Sequence, residues 1–445
     1  MKISVIGTGY VGLVSGACLA DIGHDVTCVD VDRRKVDMIN QGRAPIYEKG
    51  LEELLARNVG QRLRATPDLG PAVLATELSL ISVGTPFKGD AIDLSYVETV
   101  SRQIGEVLAG KADYHVVVVK STVVPGTTEE VVLPILERAS GKSAGPDFGV
   151  GMNPEFLREG EAVSDFENPD RIVLGGIDAR SLDALAEVYA PYQCLDVIRT
   201  SPKTAEMIKY TANSLLATMI SFSNEIAGLC TAFGGIDVVE VMRGVHLDKR
   251  LSPILADGQR IRPAFTTFLE AGCGFGGSCF PKDVEALIAH GKRHGNPMQL
   301  LDAVMRINRR QPHKILELLE KYFPSLEGRQ VSVLGLAFKP GTDDMRESPA
   351  IPVVRSLMDR GAAVSAYDPV AVNEARKIFG ERGIQYCDTL ATALETAEAV
   401  VLMTRWPEFE RLPALLARLE TQPLVVDGRR MLDKRSFARY DGIGL

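Results

Sequence analysis

The sequence predicts an α/β protein, with two doubly wound domains joined by a long central helix and a helical region. Three observations predict it. Short β-rich apolar runs alternate with helical stretches over the first 200 residues, an unbroken stretch of helical periodicity follows, and strands return near residue 330. A chain of 445 residues is longer than one hydrophobic core normally supports, so two or three domains are expected. Their expected bounds are 1–200, 201–322 and 323–445.

The N-terminal strands are placed at 2–6, 25–30, 78–83, 115–120, 149–152, 171–175 and 197–200. Most are continuous apolar runs of the kind covered on both faces, which points to a parallel sheet with helices on either side. Residues 204–233, TAEMIKYTANSLLATMISFSNEIAGLCTAF, contain no proline and carry apolar residues at helical spacing. The stretch, free of any break before Gly228, reads as one long helix or a nearly continuous pair, and one helix of this length extends about 45 Å at about 1.5 Å per residue, enough to bridge two domains and to offer a seam for a homodimer. Further helices run to about residue 322, a linker includes 323–328, FPSLEG, and strands resume at 330–334, 364–367, 399–403 and 424–426. The last third is a second, smaller α/β domain.

Hydrophobic residues make up 45% of the chain and charged residues 24%, the balance of an ordinary soluble protein. No uncharged apolar run reaches the roughly 18 residues of a membrane span, and MKISVIGTGYVG enters a strand at once, so a cytoplasmic protein with no membrane partner is expected. Seven cysteines (18, 28, 194, 230, 273, 279 and 387) form no CxxC pair and no Cys/His metal pattern, which fits reduced thiols and no metal site. Five of the six other than Cys279 lie in apolar or periodic segments and read as core. A net charge of −8 argues against a nucleic-acid partner. It leaves room for small anionic ligands held by helix N-termini and a few local cations.

Gly7, Gly9 and Gly12 form GTGYVG directly after the first strand. The first glycine serves a tight turn, the second the approach of a pyrophosphate and the third the contact of helix with strand, a dinucleotide fingerprint. Asp30 ends the next strand, where a carboxylate accepts from ribose hydroxyls and repels a 2′-phosphate, favouring NAD over NADP. Arg33 and Arg34 are read as exposed helix residues, and Lys35 as a ribose or phosphate contact. Two more turns close strands at the same sheet edge: VGTP with Thr85, and KSTVVPGT with Ser121 and Thr122. They read either as cofactor contacts or as ordinary helix caps.

NPEFLRE, 153–159, carries Glu155 and Glu159 four residues apart, on one face if the segment is helical; they serve either to activate water or to favour a helix N-terminus. Lys209 and Asn213 share a face of the long helix, where an ammonium and an amide can stabilise an oxyanion. GFGGSCFPKD, 274–283, places Cys279 among glycines and just before Lys282 and Asp283. A nearby ammonium favours the nucleophilic thiolate. A dinucleotide fingerprint and a nucleophilic cysteine together suggest oxidation of a carbon through an enzyme-bound thioester. Finally, GLAFKPGTDDMRESP, 335–349, carries Lys339 and Arg346 in a loop directly after a strand, a second edge at which a nucleotide can bind.

Taken in order along nearly the whole chain, GTGYVG, VGTP, KSTVVPGT, NPEFLREG, EMIKYTANS, GFGGSCFPKD and GLAFKPGTDDMRESP resemble the UDP-glucose 6-dehydrogenase family, within the nucleotide-sugar 6-dehydrogenases that include the GDP-mannose enzymes. The FGGSCFPKD form looks like the UDP-glucose branch. The resemblance implies two Rossmann-like domains, a central helix that forms a dimer, and NAD as cofactor. It makes Cys279 the nucleophile, with Lys209, Asn213 and Asp283 supporting oxyanion and water, and with Glu155 and Thr122 serving water activation and proton transfer. NAD contacts are implied for Tyr10, Val11, Asp30, Lys35, Thr85, Thr122, Glu159, Lys282 and Arg346 beside the three glycines. The nucleotide sugar falls to Glu155, Phe156, Leu157, Arg158, Glu159, Lys209, Asn213, Phe268, Leu269, Glu270, Ala271, Gly272, Gly276 and Lys339.

One departure stands out. The family has a short Asp-x-Arg-Ile-Gly segment before its cysteine, and here 247–262, LDKRLSPILADGQRIR, offers both Arg250 and Arg260, as though about a dozen residues were inserted. Arg260 is preferred. The implied reaction oxidises a UDP-glucose C6 alcohol to UDP-glucuronate with two NAD. Its rivals are GDP-mannose 6-dehydrogenase and a non-catalytic nucleotide-sugar or redox sensor.

Overall fold

The computed structural model describes residues 1–192 and 196–445, so Cys194 lies outside the described residues. It contains two compact units, Met1–Ala212 and Asn213–Leu445. The helix Pro202–Phe233 runs through their boundary as one 32-residue element, as its unbroken periodicity predicts.

The first unit holds an eight-stranded sheet in the spatial order Val197–Thr200, Ile172–Gly176, Gly149–Met152, Val116–Val119, Leu78–Ile81, Lys2–Ile6, Asp25–Val29 and Leu63–Thr66. The first strand has a neighbour from either half of the unit, in register Lys2 with Asp25 and Ile3 with Leu78, so the order of connection reverses between Lys2–Ile6 and Leu78–Ile81. Ligands of open α/β sheets gather outside the carboxyl ends of strands at such a point. Two apolar clusters cover the sheet, one around Leu13, Leu19 and Leu55 and one around Ile104, Val119 and Leu136.

Two features differ from the expected parallel sheet. Gly149–Met152 and Ile172–Gly176 pair antiparallel, so the last two strands run against the others. An apolar run encodes burial and says nothing of direction, which the connecting chain sets. The strand Leu63–Thr66, an edge strand with one face exposed, has too few apolar residues to stand out in the sequence.

The second unit holds six parallel strands in the order Ile384–Tyr386, Ala363–Tyr367, Gln330–Leu334, Ala399–Leu402, Leu424–Asp427 and Tyr440–Gly442. The two outermost strands were not predicted. Each has three residues and one neighbour, below the length at which periodicity is readable. Ala227, Val238 and Met242 of the helical region share one core with Ile315, Val333 and Val426, so these helices are packed on the second sheet.

By length and composition Pro202–Phe233 is also apolar enough to cross a membrane. Its apolar residues divide between a buried set, Tyr210, Ala217 and Ala227, and an exposed set, Met207, Leu215, Phe222, Leu229 and Phe233. The exposed set recurs at steps of eight, seven, seven and four residues, a stripe along one side.

Candidate active site

In the first unit the predicted residues meet at the carboxyl edge of the sheet. Gly7 follows the first strand with φ +99 and bonds back through its N–H to Val29 C=O at 2.8 Å. A Cβ on Gly12 would stand 1.9 Å from Gly7 O, while one on Gly9 would meet nothing within 4 Å. The third glycine is thus required by packing, and the second leaves its backbone open to a ligand, which is the division of labour a pyrophosphate needs. Val11 is half-buried on the helix Tyr10–Asp21.

Asp30 sits beside this turn. Its Oδ2 accepts from the Thr8 N–H at 2.9 Å and the Thr8 hydroxyl at 2.5 Å, its Oδ1 from the Asp32 N–H at 2.9 Å, and Lys35 Nζ stands 4.0 Å away. Burial works to raise this carboxyl, but the Thr8 and Asp32 bonds and the Lys35 charge outweigh it and hold it below the usual range. The carboxylate is fixed in place and ionised, as a ribose acceptor must be. Arg33 and Arg34 are exposed.

The next two turns are tied together. The Thr85 hydroxyl donates to Thr122 C=O at 2.8 Å, and the Ser121 hydroxyl to Val83 C=O at 2.7 Å. Thr85 therefore caps no helix; it holds the VGTP and KSTVVPGT loops side by side. The segment 153–158 is irregular, with a helix starting only at Ala162, so Glu155 and Glu159 do not share a helical face. Glu155 turns inward, 6% exposed, and meets Lys209 Nζ at 2.9 Å. The Leu157 N–H donates to its other oxygen at 2.6 Å. Burial alone would raise this carboxyl; the Lys209 ammonium, the Leu157 bond and the charge of Lys120 prevail and lower it. The Phe156 ring lies under Lys209 and Arg171, at 5.5 and 3.8 Å. Arg158 is turned to Asp165, which it grips through Nε and Nη2 at 3.0 and 2.6 Å, and to Glu161 at 2.7 Å.

In the second unit Cys279 is the N-cap of the 14-residue helix Phe280–Arg293. Pro281 is the second residue of the first turn, where its missing N–H costs nothing. The helix N-terminus favours a thiolate. Among the described cysteines Cys279 alone is partly exposed; Cys18, Cys28, Cys230, Cys273 and Cys387 are buried. Burial pushes the Cys273 thiol up. One turn into the helix Asp283 is 1% exposed and receives both Lys282 Nζ at 2.6 Å and Asn213 Nδ2 at 2.7 Å.

The glycines before Cys279 bring in the last predicted loop. A Cβ on Gly276 would meet Glu347 O at 2.2 Å, and the Gly277 N–H donates to Arg346 C=O at 2.9 Å. Only glycine allows this approach. Arg346 itself forms a bidentate pair with Asp344, and Lys339 stands 5.8 Å from the Phe338 ring. The stretch 268–272 lies alongside: Phe268 packs on Phe280 at 6.3 Å, the Leu269 carbonyl contacts His246 at 3.1 Å, Glu270 pairs with Arg405, Ala271 is buried, and the Gly272 N–H donates to Asn224 at 2.8 Å.

The residues before this stretch form a small hairpin. Ile254 and Arg260 are bridged antiparallel around a turn at Asp257 and Gly258, the latter at φ +83. Arg260 Nη1 donates to Leu247 C=O at 2.8 Å and Ser252 C=O at 2.9 Å, whereas Arg250 points to Asp248 from an exposed position.

Comparison with known proteins agrees with this layout. Residues 1–193 match the NAD binding domain of the UDP-glucose/GDP-mannose dehydrogenase family, 203–310 its central domain and 332–434 its UDP binding domain. The chain belongs to this family. The dehydrogenase is 44% identical to the UDP-glucose 6-dehydrogenase of Haloferax volcanii and 41% identical to the GDP-mannose 6-dehydrogenase of Pseudomonas putida, in both cases over 100% of either chain. Its fold matches a UDP-glucose dehydrogenase from Pyrobaculum islandicum at a TM-score of 0.90, with 41% identity and coverage of 100% of this chain and 97% of that one. It is an NAD-dependent enzyme, and the open Gly9 turn beside an ionised Asp30 fits that cofactor.

Three side chains of the dehydrogenase's first unit were not singled out from the sequence. Glu48 accepts from the Gly160 and Ala162 N–H groups at 2.6 and 2.9 Å and from the Tyr10 hydroxyl, joining the fingerprint helix to the NPEFLRE segment. Glu206 lies one turn before Lys209 on the long helix and binds the KSTVVPGT loop. Its i, i+3 relation to Lys209 was a readable signal. Lys120 is a lysine at the end of four valines, VVVVK, and a charge there was a signal too.

Proposed function

We propose that the enzyme is a UDP-glucose 6-dehydrogenase, which converts UDP-glucose, two NAD and water into UDP-glucuronate and two NADH. The observation that carries the reading is Cys279, partly exposed at the first turn of a helix and one turn from the Asp283–Asn213–Lys282 cluster. NAD, when bound, supplies the hydride acceptor for each oxidation. The C6 alcohol loses a hydride and a proton to give an aldehyde, and the Cys279 sulfur adds to its carbon as a thiohemiacetal. Loss of a second hydride and proton leaves a thioester, from which water displaces the thiol and releases the acid. Covalent capture keeps the aldehyde on the enzyme between the two oxidations.

In this reading Lys209 and Asn213, one turn apart on one helix, stabilise the oxyanion, and Asp283 holds the catalytic water. Glu155 activates water and Thr122 takes part in proton transfer. Glu159, Lys282 and Arg346 contact the cofactor together with the fingerprint, Asp30, Lys35 and Thr85. The stretch 268–272, Gly276, Lys339 and Arg260 receive the nucleotide sugar. The exposed stripe of Pro202–Phe233 forms a homodimer, and the enzyme works in the cytoplasm.

The full-length similarity to the Pseudomonas putida GDP-mannose 6-dehydrogenase supports a second reading of the substrate. The purified enzyme offered a panel of UDP- and GDP-sugars with NAD decides. The expected result is UDP-glucose turnover with two NADH per glucuronate. A higher kcat/KM for GDP-mannose would overturn the first reading.

A further inference from the structure

Lys120 is a buried charge to which the reaction scheme gives no part. It is 3% exposed, at the carboxyl end of the strand Val116–Val119. Its Nζ donates to Asn153 Oδ1 at 2.9 Å and to the Tyr189 hydroxyl at 3.4 Å. Tyr189 donates to the same Asn153 oxygen at 2.5 Å, and the Asn153 amide donates to Val173 C=O at 3.0 Å. These hydrogen-bond partners are neutral. The carboxylate whose field the ammonium shares is Glu155, which already contacts Lys209 at 2.9 Å.

Lys120 is held to Asn153, two residues before Glu155, and Lys209 contacts Glu155 itself, so two buried ammonium groups act on one buried carboxylate. Burying an ion costs several kcal/mol unless a counter-charge or good hydrogen bonds repay it, and structural needs at a strand end would be met by an apolar side chain. The second cation gains a purpose once the first has another task. Lys209 is the group proposed to stabilise the oxyanion, and an ammonium that turns to a developing negative oxygen gives less of its charge to Glu155. Glu155 would then take up a proton at the moment when it has to accept one from water.

We propose that Lys120 is a positioning residue for the reaction, the second counter-ion that keeps Glu155 ionised while Lys209 serves the reacting oxygen. The inference rests on the role given to Glu155 above. Burial lowers the Lys120 ammonium to about 8, with the Glu155 charge opposing and the Lys209 charge adding to the effect. The counter-ion is therefore present at neutral pH and lost above about 8. The other groups near the pair are Tyr189, whose phenol burial pushes far up, and Arg171, which stacks on Phe156 and pairs with Asp170 at 2.8 Å.

The test is the pH profile of kcat. Lys120→Met is expected to move the acid limb upward by about one pH unit, as loss of a nearby cation raises a carboxyl pKa. Lys120→Arg should leave the acid limb in place and remove the alkaline loss near pH 8, because arginine stays charged. Tyr189→Phe, which deletes a neutral partner and keeps the charge, should leave the acid limb unmoved. An acid limb unchanged in Lys120→Met, with only a lower Tm or a uniform loss of rate, would overturn the proposal. If that variant does not fold, an acid limb that moves upward in Lys120→Arg, where the charge is kept, overturns it equally. Glu155→Gln separates the two levels: it should accumulate thioester on Cys279, and normal turnover would remove the role of Glu155 itself.

Discussion

Glu206 and Thr128 are joined by two hydrogen bonds, from the Thr128 N–H at 2.8 Å and from its hydroxyl at 2.7 Å, and the Gly126 N–H reaches the other carboxylate oxygen at 2.6 Å. The long helix is thereby fixed to the KSTVVPGT loop three residues before Lys209. The carboxyl is fully buried. Burial raises it from 4.5 to about 7, against the Thr128 and Gly126 bonds that act to lower it.

A raised carboxyl means that the folded state binds more protons than the unfolded state between the two pKa values. Stability from this group is complete below about 4.5 and is lost as pH rises through about 7. Denaturant titrations of wild type and Glu206→Gln at several pH values check this. The wild type should lose on the order of 2 kcal/mol across the window, and the variant's curve should be flatter there, even if its absolute stability is lower from the mismatched Gly126 contact.

Cys279→Ser is expected to reduce net four-electron turnover by at least about 1000-fold while leaving NAD binding intact, because a hydroxyl lacks the nucleophilicity of a thiolate. Peptide mapping of wild type after incubation with substrate should find the adduct on Cys279 and none on the buried Cys273. Wild-type turnover in the serine variant would end the covalent mechanism.

Asp30→Ala or Asp30→Asn should relax the preference for NAD, with the exposed Arg33 and Arg34 then available to a 2′-phosphate. Specificity constants for NAD and NADP measure it. Thr8 and the Asp32 N–H also lose an ionised acceptor, so a moderate rise in KM for NAD is expected as well.

Arg260→Lys is expected to raise the nucleotide-sugar KM about tenfold, and Arg250→Lys to change it little, because a lysine does not reproduce the forked donors. Arg260 additionally closes the hairpin onto Leu247 and Ser252. NAD binding should be unchanged in both variants. A strong effect from Arg250 alone would make the hairpin an addition placed after the substrate arginine.

Phe222→Glu puts a charge in the middle of the exposed stripe of Pro202–Phe233. If the stripe is a dimer seam, sedimentation velocity should show a shift from dimer to monomer, with little change in circular dichroism. A wild type that sediments as a monomer at micromolar concentration would remove the seam.

The sequence by itself determined the α/β class, the long helix and the family, because each is written in local order. Strands covered on both faces are continuous apolar runs, the helix has no proline, and Gly7 and Gly12 of GTGYVG and Gly276 and Gly277 of GFGGSCFPKD stand where a Cβ cannot fit. Strand direction was not legible, since Ile172–Gly176 has the same apolar texture whichever way it runs. Nor were the short edge strands, whose single neighbour leaves little pattern. Only the tertiary structure could decide that Glu155 faces Lys209 while Arg158 turns to Asp165, that Thr85 ties two loops and caps no helix, and that Lys120, Glu48 and Glu206 stand where they do. These are contacts between residues 7 to 114 positions apart, and local propensity carries no information about them. They arise when separate strands end at one sheet edge, and burial there makes each charge depend on the partner the fold provides.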